Sequence, residues 1–223
     1  MIPSTIKRAY YVLLQYPMRA NGWVYKNFKC PKQGLKVHLG PGQKNYLKGW
    51  VNVDANFITT KVDVWANLLN SLPFRDGSID LFYSHHVIEH LPDSHLPKHF
   101  AEMLRCLRPG GGIRIGAPNL GNACFKYLEK DYGWFDDFPD KRKSMGGRFT
   151  NFVFCRGEHL TALDASYLTE LAEETGFVNI SFCIPTKETS LVDLGVEAEV
   201  LSKEWESDFA YPHTIIMEAR KPK

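Results

Sequence analysis

His86, Glu89 and His90 stand at i, i+3 and i+4. On a helix, that spacing puts an imidazole, a carboxylate and a second imidazole on one face. Such a trio can hold a divalent ion or move a proton, and it spells the H-x-x-E-H string of one class of zinc proteases. Pro92 limits any helix here to little more than one turn. A second group of residues concerns a ligand rather than a proton. Gly40-Pro41-Gly42 follows a β-rich run ending at Leu39, and glycines at a strand-to-helix turn let the backbone approach a ligand that a Cβ would exclude. Asp54 closes the next β-rich run, where a carboxylate can accept both hydroxyls of a ribose. Asn45 replaces the third glycine of the dinucleotide fingerprint, which disfavours a nicotinamide site, and a plain turn is the other reading of the glycines.

The elements that must position these residues alternate between strand and helix. Strands are expected at Leu35 to Leu39, Trp50 to Val53, Lys61 to Val64, Ile79 to Ser84, Ile113 to Ala117, Phe177 to Ile184 and His213 to Ala219. Leu96 to Leu107 has helical spacing at Phe100, Met103, Leu104 and Leu107, and it ends at Pro109-Gly110-Gly111-Gly112. A second helix is capped by Asp164 or Ser166 and stopped by Gly176. Two regions interrupt the alternation. Residues 1–34 read as a helical flank or lid, with Ser4 as cap and Ile6, Tyr10, Leu13 and Leu14 on one face. Residues 119–160 are too long for a simple connection, and Phe125, Tyr127, Tyr132, Trp134, Phe135 and Phe138 argue for an ordered cover over the domain at 35–221.

Leu72-Pro73-Phe74-Arg75-Asp76-Gly77-Ser78-Ile79-Asp80, then Val87-Ile88-Glu89-His90-Leu91, then Leu107-Arg108-Pro109-Gly110-Gly111, together with the glycine turn and Asp54, resemble the successive motifs of class I S-adenosylmethionine-dependent methyltransferases of the type 11 group. The resemblance implies an α/β fold: a doubly wound, seven-stranded, mostly parallel sheet of order 3-2-1-4-5-7-6, last strand antiparallel, in a three-layer sandwich. It implies S-adenosyl-L-methionine as cofactor across the ends of strands one, two and four. Leu39, Gly40 and Gly42 would line it, the glycines facing its methionine part. Asp54 would meet the ribose, Asn67 would stand near the adenine, Leu68 would cover the ring, and Ser84 and His85 would line the sulfonium. His38 stands where many members carry an acid, and Lys44 where their common pattern has a third glycine.

Metal-assisted O-methyltransferases of the small-RNA and ubiquinone-pathway types have a helix after strand four that is similar, with E-x-x-E-H in place. Against that pattern His86 replaces the first Glu, Glu89 and His90 match, and His159 offers a fourth ligand. The substitution shifts preference from magnesium toward zinc, iron or manganese. The alternative is that Glu89 and His90 brace the fold without a metal. Catalysis of methyl transfer falls to His85 or His86 as base, and to Asn119 after strand five. His95 and His99 are expected on a solvent-facing helix surface, and Lys141, Arg142, Lys143, Arg148 and Arg156 either meet an anionic group of the substrate or are solvated.

The 223 residues carry 27 Lys+Arg against 25 Asp+Glu, with 44% hydrophobic and 13% aromatic side chains. That near-neutral balance gives no strong nucleic-acid signal and favours a small-molecule or glycan-type acceptor, and the histidines able to take a hydroxyl proton favour methylation on oxygen. No apolar run reaches a membrane span, and five widely spaced cysteines without C-x-x-C argue against a disulfide framework, so a cytoplasmic protein is expected. The rival functions are a metal hydrolase using the H-x-x-E-H string, and a non-catalytic S-adenosylmethionine-binding protein.

Overall fold

A computed structural model describes residues 4–223, with side chains from residue 10. Seven strands form one sheet of order β3-β2-β1-β4-β5-β7-β6. They are β1 (Leu35–Leu39), β2 (Val51–Asp54), β3 (Val64–Trp65), β4 (Ile79–His85), β5 (Leu107–Pro118), β6 (Val178–Cys183) and β7 (Thr214–Arg220). β1 to β5 pair in parallel, and β7 runs antiparallel between β5 and β6. This is the expected topology, with β5 longer than anticipated. The Pro109-Gly110-Gly111-Gly112 run is absorbed into β5, where Gly111 and Gly112 lie so close to neighbouring backbone and leucines that a Cβ would collide.

The parallel strands are apolar because both faces are covered. On one face Val37, Leu39, Val53, Phe82 and Ile115 pack under α2 (Leu96–Cys106) and α5 (Ala165–Thr175). The opposite face carries Leu81 and Tyr83 against Leu47, Trp50, Leu191, Leu194 and Val200. The chain from 184 to 206, with a 3-10 turn at Val192–Leu194 and the four-residue α6 (Ala198–Leu201), closes that layer. Arg114 anchors it: fully buried, it donates from Nε and Nη2 to Glu204 at 2.6 and 2.7 Å and from Nη1 to Glu218 at 2.5 Å.

α1 (Ser4–Val24) runs as expected, but with a different inner face. Met18 is buried and Tyr10 and Leu14 are half-buried, whereas Leu13 is 73% exposed. The expected roles of Ser4 and Ile6 lie outside the described side chains. Residues 119–160 are ordered by α3 (Leu120–Leu128) and α4 (Met145–Phe154), whose shared core is Ala123, Trp134 and Phe135 with Met145, Phe149 and Phe152. Of the six aromatics that suggested order, only Trp134 and Phe135 are buried. His99 is a correction: it lies 3% exposed beside Phe100, because positions 96, 99, 100 and 103 form one buried stripe. No disulfide forms.

Candidate active site

β1 ends at Leu39, and Gly40 and Gly42 turn the chain with φ of +67° and +54°, a region that L side chains rarely adopt. The two glycines have different reasons to be there. A Cβ on Gly40 would stand 2.3 Å from Cγ2 of Val87, so Gly40 lets the loop after β4 pack against the turn. A Cβ on Gly42 would meet nothing within 4 Å and would enter the space at the strand ends. Asp54, at the end of β2, receives the Asn56 N–H at 2.8 Å and is bonded by the Gly42 and Ala55 amides. Burial raises its carboxyl above the usual range and these amides pull the other way. At the tip of β4, Ser84 Oγ and His85 Nε2 are buried with no partner among the described residues. An open backbone cradle, a carboxylate next to it and two unsatisfied polar atoms suit a nucleoside cofactor with a polar tail. Asn67 is half-buried and spends Oδ1 on the Leu69 N–H at 2.9 Å, and Leu68 packs on the core.

The histidines separate into two sets. His85 lies against Gly116, where an added Cβ would be 2.5 Å from its Cδ2, and its ring is T-shaped to His86 at 4.5 Å. Burial, then the fields of His86, Arg114 and His38, pushes its pKa well below the ordinary value. His86 is not on a helix: its φ is +54°, and only Ile88–His90 forms a short 3-10 turn. Its Nδ1 donates to Glu89 Oε1 at 3.2 Å, leaving Nε2 to accept from the Thr214 hydroxyl at 3.0 Å. Both nitrogens of His86 are thus engaged.

Glu89, His90 and His159 converge, with one ligating atom from each within 4.8 Å of the others. The backbone brings them together. The Glu89 carbonyl accepts from Leu160 N at 2.7 Å and Thr161 N at 3.1 Å, and Thr161 Oγ1 donates to the Leu91 carbonyl at 2.8 Å. His90 Nδ1 donates to the Glu158 carbonyl at 2.8 Å and His159 Nδ1 to the Val153 carbonyl at 3.0 Å. Each ring is therefore fixed in the tautomer whose Nε2 carries a lone pair. Glu89 is 1% exposed, and its Oε2 has no partner among the described residues. Although burial alone would raise its pKa, the His86 hydrogen bond and the fields of His86 and His90 hold it low, so it is a carboxylate.

The remaining expected residues are otherwise occupied. Asn119 caps α3, its Oδ1 accepting from Asn122 N at 3.1 Å. Within residues 119–160, Arg142 and Arg156 pair with Asp140, and Arg148 and Lys141 with Asp137. Sequence reasoning missed His213, half-buried just before β7. Its ring stacks on Trp134 at 4.3 Å, and its nitrogens bond Glu206 Oε1 at 2.8 Å and the Trp134 carbonyl at 2.6 Å.

Residues 27–115 match the family model of the methyltransferase domain. No curated protein matches the sequence. Among solved structures, the chain is similar to a Haemonchus contortus phosphoethanolamine N-methyltransferase 2 in complex with S-adenosyl-L-methionine, at 17% identity and TM-score 0.53. That match covers 96% of this chain and 60% of the Haemonchus protein, so the chain spans about three fifths of that enzyme's length. It is also similar to S-adenosylmethionine-dependent methyltransferases of Archaeoglobus fulgidus (16%, TM-score 0.52, 94% of each chain) and Thermotoga maritima (16%, TM-score 0.53, 97% of this chain and 96% of that one). At such identities the likeness shows the fold. The matched methyltransferase domain at 27–115 thus lies within a seven-stranded sheet whose fold is that of these S-adenosylmethionine-dependent methyltransferases.

Proposed function

We propose that the chain methylates a hydroxyl oxygen of a small-molecule or glycan-type acceptor, with the Glu89–His90–His159 cluster receiving the hydroxyl proton. The observation that carries this reading is the pair of Nε2 lone pairs held beside a buried carboxylate. S-adenosylmethionine supplies an electrophilic methyl group on a sulfonium, which is displaced in line. Asp54 and the Gly40–Gly42 turn hold the nucleoside and tail ends, and Ser84 and His85 face the reacting end. His85 is a poor base because burial keeps its pKa so low, and His86 must break its Thr214 bond before it can accept a proton. The acceptor would enter under the cover formed by residues 119–160.

A divalent ion at the same cluster is a second reading, favoured by the Nδ1–H groups being given to carbonyls, the arrangement that orients metal-bound histidines. A bound ion would lower the hydroxyl's pKa. Its ligands would be Glu89, His90 and His159, without His86, whose nitrogens are both engaged.

His90→Ala and His159→Ala should each lower kcat by about a hundredfold, within the range for a lost general base. The dissociation constant for S-adenosylmethionine should stay within about twofold by calorimetry. Asp54→Ala should do the reverse, weakening cofactor binding by at least about tenfold through lost charge-assisted hydrogen bonds. Metal content of the purified protein, with wild type compared against Glu89→Gln, separates the metal reading from the metal-free one. Turnover that survives loss of both His90 and His159 overturns the assignment of the base.

A further inference from the structure

α1 is apolar on two sides, and only one of them is used. Tyr10, Leu14, Met18 and Gly22 turn toward the domain, where Tyr10 donates to the Ala55 carbonyl at 2.7 Å and a Cβ on Gly22 would lie 3.1 Å from Pro73. On the outer side Val12, Leu13, Tyr16, Ala20, Trp23 and Val24 form a second stripe at helical spacing, all exposed, with Leu13 at 73%, Tyr16 at 69% and Trp23 at 60%. Phe28, in the turn that continues α1, is 73% exposed. The loop gripped by Tyr10 adds the exposed Phe57 and Ile58. Water-facing surface this apolar is a mark of a docking face.

The charge around the stripe identifies what docks. Residues 1–34, which hold α1 and the turn after it, carry six of the 27 lysines and arginines and none of the 25 acids, so residues 35–223 carry 21 basic against 25 acidic side chains, a net of −4. A molecule of net charge +2 thus concentrates positive charge on the segment that bears the exposed stripe. Lys29 and Lys32 follow the stripe and are exposed. A second copy docked through the same face would bring like charges together. An apolar face flanked by basic residues instead complements anionic headgroups above an acyl layer. Among the described residues no helix is long and apolar enough to cross a membrane, so the contact is with the surface. We propose that α1 lays its outer face on an anionic lipid bilayer. The inner side of the same helix reaches the chain just after β2, where Tyr10 donates to the Ala55 carbonyl next to Asp54.

Flotation of the full chain with phosphatidylcholine vesicles, with and without a minority of phosphatidylglycerol, tests this directly. The protein should float with the anionic vesicles and lose at least about tenfold in apparent affinity when salt is raised from about 0.1 M to about 0.5 M. The triple variant Leu13→Glu, Tyr16→Glu, Trp23→Glu should lose vesicle binding while keeping its S-adenosylmethionine affinity. Lys29→Glu with Lys32→Glu should weaken binding to anionic vesicles alone. No binding to either vesicle, binding unaffected by the triple variant, or a dimer that the triple variant dissociates without any vesicle binding in the wild type would each overturn the proposal.

Discussion

Gly40 and Gly42 share a conformation and differ in what surrounds them, so replacing each by alanine separates two effects. Gly40→Ala meets Val87 as well as the unfavourable φ and should cost about 2–4 kcal/mol in urea unfolding, combining left-handed strain with overpacking. Gly42→Ala meets only the backbone cost, about 1 kcal/mol, and its larger effect should be a weaker S-adenosylmethionine affinity by calorimetry. The glycine turn after β1 and the end of β2 at Asp54 were legible from sequence because their reasons are local: a turn and a strand end. His86 was misplaced for a local reason as well. Its i, i+3, i+4 spacing implied a helix face, but the chain leaves β4 through a left-handed residue, and a single turn at Ile88–His90 carries the remaining pair. His99 was readable but misread, since its position on the stripe with Leu96, Phe100 and Met103 outweighed its polarity.

At the scale of elements, residues 119–160 are held to the sheet by His213, which packs on Trp134. Burial opposes charge on this ring, yet Glu206 and the Trp134 carbonyl accept from both nitrogens and raise its pKa above the ordinary value. A pKa raised on folding contributes stability that is complete below the unfolded value of about 6.5 and is lost as pH rises through the folded value. His213→Ala should therefore destabilise by about 1–3 kcal/mol near pH 6 and by less near pH 9, with faster amide exchange in residues 131–152. Nothing in the sequence announced this clamp, because its two sides are 79 residues apart. The strands and α5 were legible from alternation and caps. The layer from 184 to 206 was not, because its organising group, Arg114, sits in a strand where periodicity alone says nothing about acids 90 and 104 residues further on.

For the whole molecule, acid sensitivity follows from histidines buried without charge. Burial lowers both His38 and His99 to about 4. The unfolded chain binds their protons below about pH 6.5 while the folded protein does not, so stability falls from about pH 6.5 down to about pH 4, by at most about 3 kcal/mol for each. Urea unfolding at intervals across that range should show the loss beginning above the region where carboxylates titrate. His99→Leu, which keeps an apolar stripe residue, should flatten the slope.

Residues 119–160 are fastened at both ends by backbone hydrogen bonds: Asn119 N donates to the His213 carbonyl, Leu120 N to the Leu163 carbonyl, and the Glu89 carbonyl takes Leu160 and Thr161. Between them, Lys141, Arg142 and Lys143 are exposed in the connection from α3 to α4. The covalent link at that point carries none of the sheet, since β5 before the break pairs with β7 after it over seven residues from Gly112 to Pro118. Limited trypsin treatment should therefore yield two peptides that migrate together under native conditions. Two halves divided at that point and expressed from separate genes should therefore reassemble into one domain.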